Sequence, residues 1–393
     1  MNLFHLGHLA LLAARHRRLA LQKLHERSRI GKVSTGAYWN DNGGVPPPLT
    51  IGVNLTFKCN LRCKMCGQYG ERGVLRGVEA EFRKQHLSIR ELQSIIDEIS
   101  PYNPDVFVWG GEPLLHPEFV DFIRYVKARG LICTVNTNGT LLKRCATALV
   151  EAGLDGIDLS LDGPAELNDE IRGIPGATMA AVEGARAVAQ AKSMRGTNSP
   201  MIKAVCTISE ANVSRIEELV DLVAGEGVFE LLCLQLGWFT TEEIGECHEK
   251  VFQKLFSLKA SSWGGFVEAC GKVDPELVKG LMAWCRSRRS APPIVFFPDV
   301  GPADLAAYYC RPEKPIGKNR CMAPWLAADI RPNGDVTFCP DFPDYVVGNV
   351  RDERFMDIWR GPRADVFRKT LRRKRLFPIC SRCCGLYAYG VNA

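Results

Sequence analysis

No apolar run in these 393 residues approaches the roughly 18–20 needed to span a bilayer. The longest candidate, Leu3–Ala14, is interrupted by His5 and His8, and its basic residues follow the apolar stretch. A secretory signal carries them in front, so export is not expected and a cytoplasmic chain, in which disulfides are rare, is. Internal repeats and low-complexity tracts are also missing. So is any general basic surplus. The net charge of +6 resides entirely in residues 1–32, and the rest of the chain balances at 43 basic and 43 acidic residues. That pattern speaks against a globally basic nucleic-acid binder. With 46% hydrophobic and 24% charged residues the chain is globular, and its length exceeds one ordinary compact domain.

Cysteine is what the chain has in quantity. Sixteen thiols in a reducing compartment read first as metal ligands or redox groups. Three of them, Cys59, Cys63 and Cys66, form C-x3-C-x2-C directly after the first strand-like run. Three thiolates in eight residues can wrap one compact metal centre. A zinc site would want a fourth protein ligand nearby, and neither His nor Cys follows before His86. Three ligands on a four-iron cluster leave one iron open to a substrate or cofactor.

Strand-like runs at Leu49–Val53, Asp105–Trp109, Leu131–Val135, Gly156–Leu161, Met201–Thr207 and Phe229–Leu236 alternate with helical patterns. Ser88–Ser100 opens with the capping box Ser88-x-x-Glu91. Helical stretches before Gly130 and Gly153 end as helices often do, and Asn212 reads as the cap of a helix through Ala224. Six strand–helix units imply a parallel sheet with right-handed crossovers, open or curled into a partial barrel. A parallel barrel keeps its chemistry at the C-terminal ends of its strands. Trp109-Gly110-Gly111-Glu112-Pro113, Asn136-Thr137-Asn138-Gly139 and Ser160-Leu161-Asp162-Gly163 with Arg172-Gly173 follow strands two, three and four.

The cysteine triplet and these strand-end segments resemble the radical SAM superfamily over roughly residues 50–240. The resemblance implies a partial (β/α)6 TIM-type barrel with S-adenosylmethionine (SAM) and a three-cysteine [4Fe–4S] cluster as cofactors. It further implies that Gly110, Gly111, Glu112, Asn138, Ser160 and Arg172 form the SAM site. Singly, each has an ordinary explanation as a turn or a core residue; the conjunction and order carry the resemblance.

A second cluster lies in the last fifth of the chain. Cys321, Gly334 and Cys339, then Cys380-Ser-Arg-Cys383, supply two separated pairs, ingredients of a four-thiolate site for zinc or for an iron–sulfur cluster. Asn333–Gly334 reads as a hairpin turn between Ala327–Arg331 and Asp335–Phe338. With Gly348-Asn349-Val350 and Ile358-Trp359, the pattern resembles the twitch domain, the short form of the SPASM domain. This implies one auxiliary [4Fe–4S] cluster held by Cys321, Cys339, Cys380 and Cys383. Cys384 is expected to face away and Cys310 to be a free thiol.

The expected organisation is a basic helical segment and linker over 1–48, a core over 49–240 and a helical bridge over 241–305. A small α+β auxiliary domain over 306–393 completes it. The resemblance implies reductive SAM cleavage, hydrogen abstraction and oxidation or rearrangement of a small metabolite, with a flavodoxin- or ferredoxin-type electron donor. Peptide modification is the alternative, weakened because only 48 residues precede the first strand. An iron–sulfur electron carrier and a zinc-binding structural protein are readings of other classes. Residues 1–32 offer either peripheral membrane contact or a helix packed on the barrel.

Overall fold

The computed structural model describes residues 3–40, 44–289 and 292–392. Seven parallel strands run in chain order: β1 (Thr50–Asn54), β2 (Asp105–Trp109), β3 (Cys133–Thr137), β4 (Gly156–Ser160), β5 (Met201–Thr207), β6 (Leu231–Gln235) and β7 (Ile294–Phe297). Each of β1–β6 matches an expected strand within two residues at either end. The seventh comes from the apolar run Pro293–Pro298, whose partner β6 lies some sixty residues back in sequence and so leaves no local signal. The sheet curves as an open arc, with no strand closing it among the described residues.

Helices return the chain between strands, and their local signals hold. Ser88 and Glu91 form the reciprocal capping box on Ile89–Ile99, whose Leu92, Ile95, Ile96 and Ile99 are buried against the sheet. Asn212 does something other than cap. Its Nδ2 donates to the carbonyls of Asp162 and Thr207, and its Oδ1 accepts from the Ser209 amide, so it ties the ends of β4 and β5. The α-helix begins only at Ile216.

The C-terminal part continues this sheet. After the short β8 (Arg320–Cys321), β9 (Ala327–Ile330) pairs parallel with β1. The strands β10 (Asp335–Thr337) and β11 (Val346–Asn349) then extend the sheet antiparallel, so the expected hairpin extends the outer edge of the arc. A terminal strand β12 (Gly390–Val391) pairs with β8. The linker, of which residues 42 and 43 lie outside the described residues, is pinned: Trp359 Nε1 donates to the Pro46 carbonyl at 2.9 Å, and Arg29 to Pro47.

Helices Leu3–Arg15 and Arg17–Lys32 dock on the barrel. Buried His16 contacts Glu230 Oε2 at 2.8 Å, just before β6, and Arg18 donates to the Gly130 carbonyl. No helix is long and apolar enough to cross a membrane among the described residues.

Candidate active site and auxiliary cysteine site

The loop after β1 is shaped by its own backbone. The Gly70 amide bonds the Cys66 carbonyl, and Tyr69 Oη donates to the carbonyl of fully buried Phe57. Two thiols accept amide hydrogens, Cys59 Sγ from Leu61 and Cys66 Sγ from Tyr69, each at 3.4 Å. The third, Cys63 Sγ, faces Arg172 Nη1 at 3.7 Å. Burial pushes the Cys59 thiol up to about 12 and raises Cys63, and each neighbouring thiolate would raise them further. Cys59 and Cys63 therefore resist ionising here without a positive centre beside them, which is the condition a metal cluster meets.

Glycine at two positions lets the β2 loop close on this one. A Cβ on Gly111 would lie 2.2 Å from the Lys58 carbonyl oxygen, and Gly110 holds φ +147° beside Asn54. Thus the Gly111 and Glu112 amides reach the carbonyls of Thr56 and Lys58 at 2.8 Å.

Glu112 is buried and fully engaged. Its oxygens accept from Thr137 Oγ1 at 2.6 Å, the Asn138 amide at 2.8 Å and the Leu114 amide at 3.1 Å. Burial raises its pKa against those hydrogen bonds. It braces the ends of β2 and β3. Asn138 Nδ2 donates to Asn60 of the cysteine loop, and Ser160 Oγ to Asn136.

Arg172 ends the helix Ala165–Arg172. The amides of Arg62 and Lys64 bond the carbonyls of Arg172 and Ile171, so the cysteine loop is tied to the end of this helix. Its Nη2 pairs with Asp162 Oδ2 at 2.5 Å. Burial opposes the Arg172 charge, yet Asp162 and Cys63 outweigh it and hold the guanidinium above its ordinary range. All nine residues expected at the first cluster and SAM site line one cavity of about 300 Å³. Its wall also includes Trp109, Asn136 and Asp162, which lie in the strand-end segments but were given no role, and Phe266, Arg331 and Asp341, which sequence reasoning missed. Cys270 is also buried on this wall, facing the Trp238 carbonyl.

The cysteines of the second cluster come from three segments. Cys321 ends β8, Cys339 follows β10, Cys380 lies within the turn Pro378–Arg382 and Cys383 directly follows it. Burial raises the Cys339 thiol well above its usual range, and Cys383, Cys380 and Cys321 each add to the rise, so the four stand together. Cys321 is pushed up to about 12. Arg382, 1% exposed, donates to the carbonyls of Ala307, Tyr308, Arg311, Lys314 and Ser381, which fixes the turn against helix Leu305–Cys310. Cys310 is exposed. Cys384 does not face away. Its thiol, that of Cys383 and an Asp341 carboxylate oxygen lie within 4.8 Å of one another, because helix Cys384–Tyr389 starts inside the site. Asp341 therefore touches this site and the cavity of the first cysteine loop alike.

The model for the Radical SAM superfamily matches residues 53–224, and the SPASM model, an iron–sulfur cluster-binding domain, matches 321–384. An AdoMet-dependent heme synthase of Oleidesulfovibrio alaskensis is 27% identical over 350 residues, covering 86% of this chain and 81% of the relative. The mycofactocin maturase MftC of Mycobacterium tuberculosis is 25% identical over 350 residues, 86% of this chain and 76% of the relative. Among solved structures, Streptococcus suis SuiB shares the fold at TM-score 0.59 and 15% identity, covering 92% of this chain and 75% of that one.

Proposed function

We propose that this chain, an enzyme of the radical SAM superfamily with a SPASM-type C-terminal domain, oxidises or rearranges a small metabolite by hydrogen-atom abstraction. Its cofactors are SAM and two [4Fe–4S] clusters. When bound, SAM on a three-thiolate cluster supplies a 5′-deoxyadenosyl radical, and the second cluster supplies a one-electron acceptor. Cys59, Cys63 and Cys66 would hold the first cluster, and Cys321, Cys339, Cys380 and Cys383 the second.

The remaining work falls to side chains. Gly110 and Gly111 bring backbone against the cysteine loop, leaving room for the methionyl end of SAM. Ser160, Asn138 and the Asp162-held Arg172 offer it polar contacts, while buried Glu112 keeps the strand ends in register. Trp109 and Phe266 exclude water from the space where the hydrogen atom is taken. A low-potential flavodoxin- or ferredoxin-type protein is the electron donor in this reading.

One observation carries the two-centre reading: Asp341 lines the reaction cavity and also contacts the Cys383–Cys384 pair. Peptide modification is the second reading, supported by likeness over most of the chain to MftC, named a maturase, and by the fold shared with SuiB, solved with precursor peptide SuiA.

The test is a series of single cysteine-to-alanine variants, read by iron content, EPR and product. Loss of Cys321, Cys339, Cys380 or Cys383 should remove the second cluster's signal, spare basic SAM cleavage and suppress oxidised product. Cys310→Ala should keep both clusters. Should Cys384→Ala lose the second cluster while Cys383→Ala retains it, the four-ligand set is wrong.

A further inference from the structure

The reaction cavity is lined by two cations among the described residues, Arg172 and Arg331. They are not in the same condition. Arg172 is committed to Asp162 and Cys63. Arg331, the first residue after β9, has no side-chain hydrogen bond and no carboxylate within 4.0 Å among the described residues. Its guanidinium sits 5.3 Å from the Phe57 ring centroid, on the wall that the C-terminal hairpin contributes.

The acidic residues around it are occupied elsewhere. Asp329 Oδ1 accepts from Trp109 Nε1 at 2.9 Å, and Asp335 from Asn333 and Asn349. Asp344 accepts the Ser261 and Ser262 amides and the Ser262 hydroxyl. Burial lowers the Arg331 pKa, and these three carboxylates offset that only in part. A half-buried guanidinium with its planar fork free is costly to maintain unless something uses it.

We propose that Arg331 anchors a carboxylate of the substrate, making this an enzyme for small organic acids or acid-bearing metabolites. The inference rests on the radical SAM reading of the cavity and names the substrate class of that same site. A carboxylate presents two oxygens to the fork and receives two charge-assisted hydrogen bonds. Asp341 on the same cavity has an Oδ2 with no partner. That oxygen can accept a hydrogen bond from a donor elsewhere on the substrate. Apolar Trp109, Phe266, Val74 and Leu75 face the rest of the space.

The experiment uses the full-length, cluster-loaded, SAM-bound protein under anaerobic conditions. Phenylglyoxal, which labels accessible guanidiniums, is applied alone, with glutarate, with dimethyl glutarate and with inorganic phosphate. Labelled arginines are mapped by mass spectrometry, and radiolabelled glutarate binding is measured by dialysis for the natural chain, R331Q and R331K. We expect Arg331 to be labelled, and glutarate to slow that labelling while the diester does not. Glutarate binding should fall roughly ten-fold or more in R331Q, the loss of a charge-assisted bidentate contact. R331K should recover it only in part.

Absence of labelling at Arg331, equal protection by the diester, or unchanged glutarate binding in R331Q would overturn the proposal. Equal protection by phosphate would overturn the carboxylate assignment. SAM cleavage by the natural chain is scored separately. If cleavage fails while glutarate still protects Arg331, the radical reading falls and the anchor stands. If cleavage succeeds without protection, the anchor alone falls.

Discussion

At the residue scale, the site depends on charges whose partners are built in. Asp162 takes the Thr207 amide at 2.9 Å on one oxygen and Arg172 at 2.5 Å on the other, and it is 2% exposed. Removing it leaves Arg172 buried without its carboxylate partner. Asp162→Ala should therefore cost about 3–5 kcal/mol in urea unfolding, and weaken SAM binding measured by dialysis. A stability loss under about 1 kcal/mol would mean water replaces the carboxylate. The pairing of Asp162 with Arg172 was not legible in advance, although both residues stood in the strand-four segment. The cysteine triplet announces itself by spacing, and Gly110–Gly111 by position after a strand. Asp162 and Asn136 stood in strand-end segments without an assigned role, and Arg331 is a single residue without a period; only the folded sheet brings the three to one cavity. Cys384 was misjudged for the same reason, since the start of a six-residue helix decides where its thiol points.

At the scale of elements, strands β1–β6 were legible because each is a short apolar run beside a helical period. Strand β7 and the addition of β9 to β1 were not, because both are pairings between distant segments. The docking of the N-terminal helices on the barrel is similar: charge showed that something happens there, and contacts show what. Glu230 accepts from His16 and from Lys192 at 2.7 Å. Burial opposes its ionisation, but these donors win and hold its pKa down at about 2. A carboxyl depressed in the folded state stabilises the fold above its unfolded value near 4.3, and loses that contribution as pH falls toward about 2. Glu230→Gln should thus be less stable than the natural chain by roughly 1–3 kcal/mol at pH 6. In thermal melts the gap should narrow steadily below about pH 4.3. A gap that does not change with pH would place the loss in packing instead.

At the scale of the whole molecule, one curved sheet runs from β7 through the core to the auxiliary hairpin at β11. This continuity puts Arg331 and Asp341, from the C-terminal part, on the wall of a cavity that the barrel strands open. The N-terminal helices lie across the chain from that logic. Arg15 and Arg18 are engaged with Glu230, Asp155 and a backbone carbonyl, while Leu11, Leu21 and Leu24 stay exposed. A packed segment, rather than a free interfacial helix, predicts equal flotation on anionic liposomes for the full chain and a chain lacking residues 1–32. Greater flotation of the full chain would restore the membrane contact.

The central claim is that Cys59, Cys63 and Cys66 build a cluster that opens SAM, with a second cluster elsewhere in the same chain. It is tested most directly by 5′-deoxyadenosine formation in the reduced, reconstituted protein, compared with the variant in which all three are Ala. The account predicts product from the natural chain at roughly eight irons per chain. The variant should form none while keeping about four irons and the auxiliary EPR signal. Formation of 5′-deoxyadenosine by the triple variant, or a colourless zinc-bound natural chain, would contradict it.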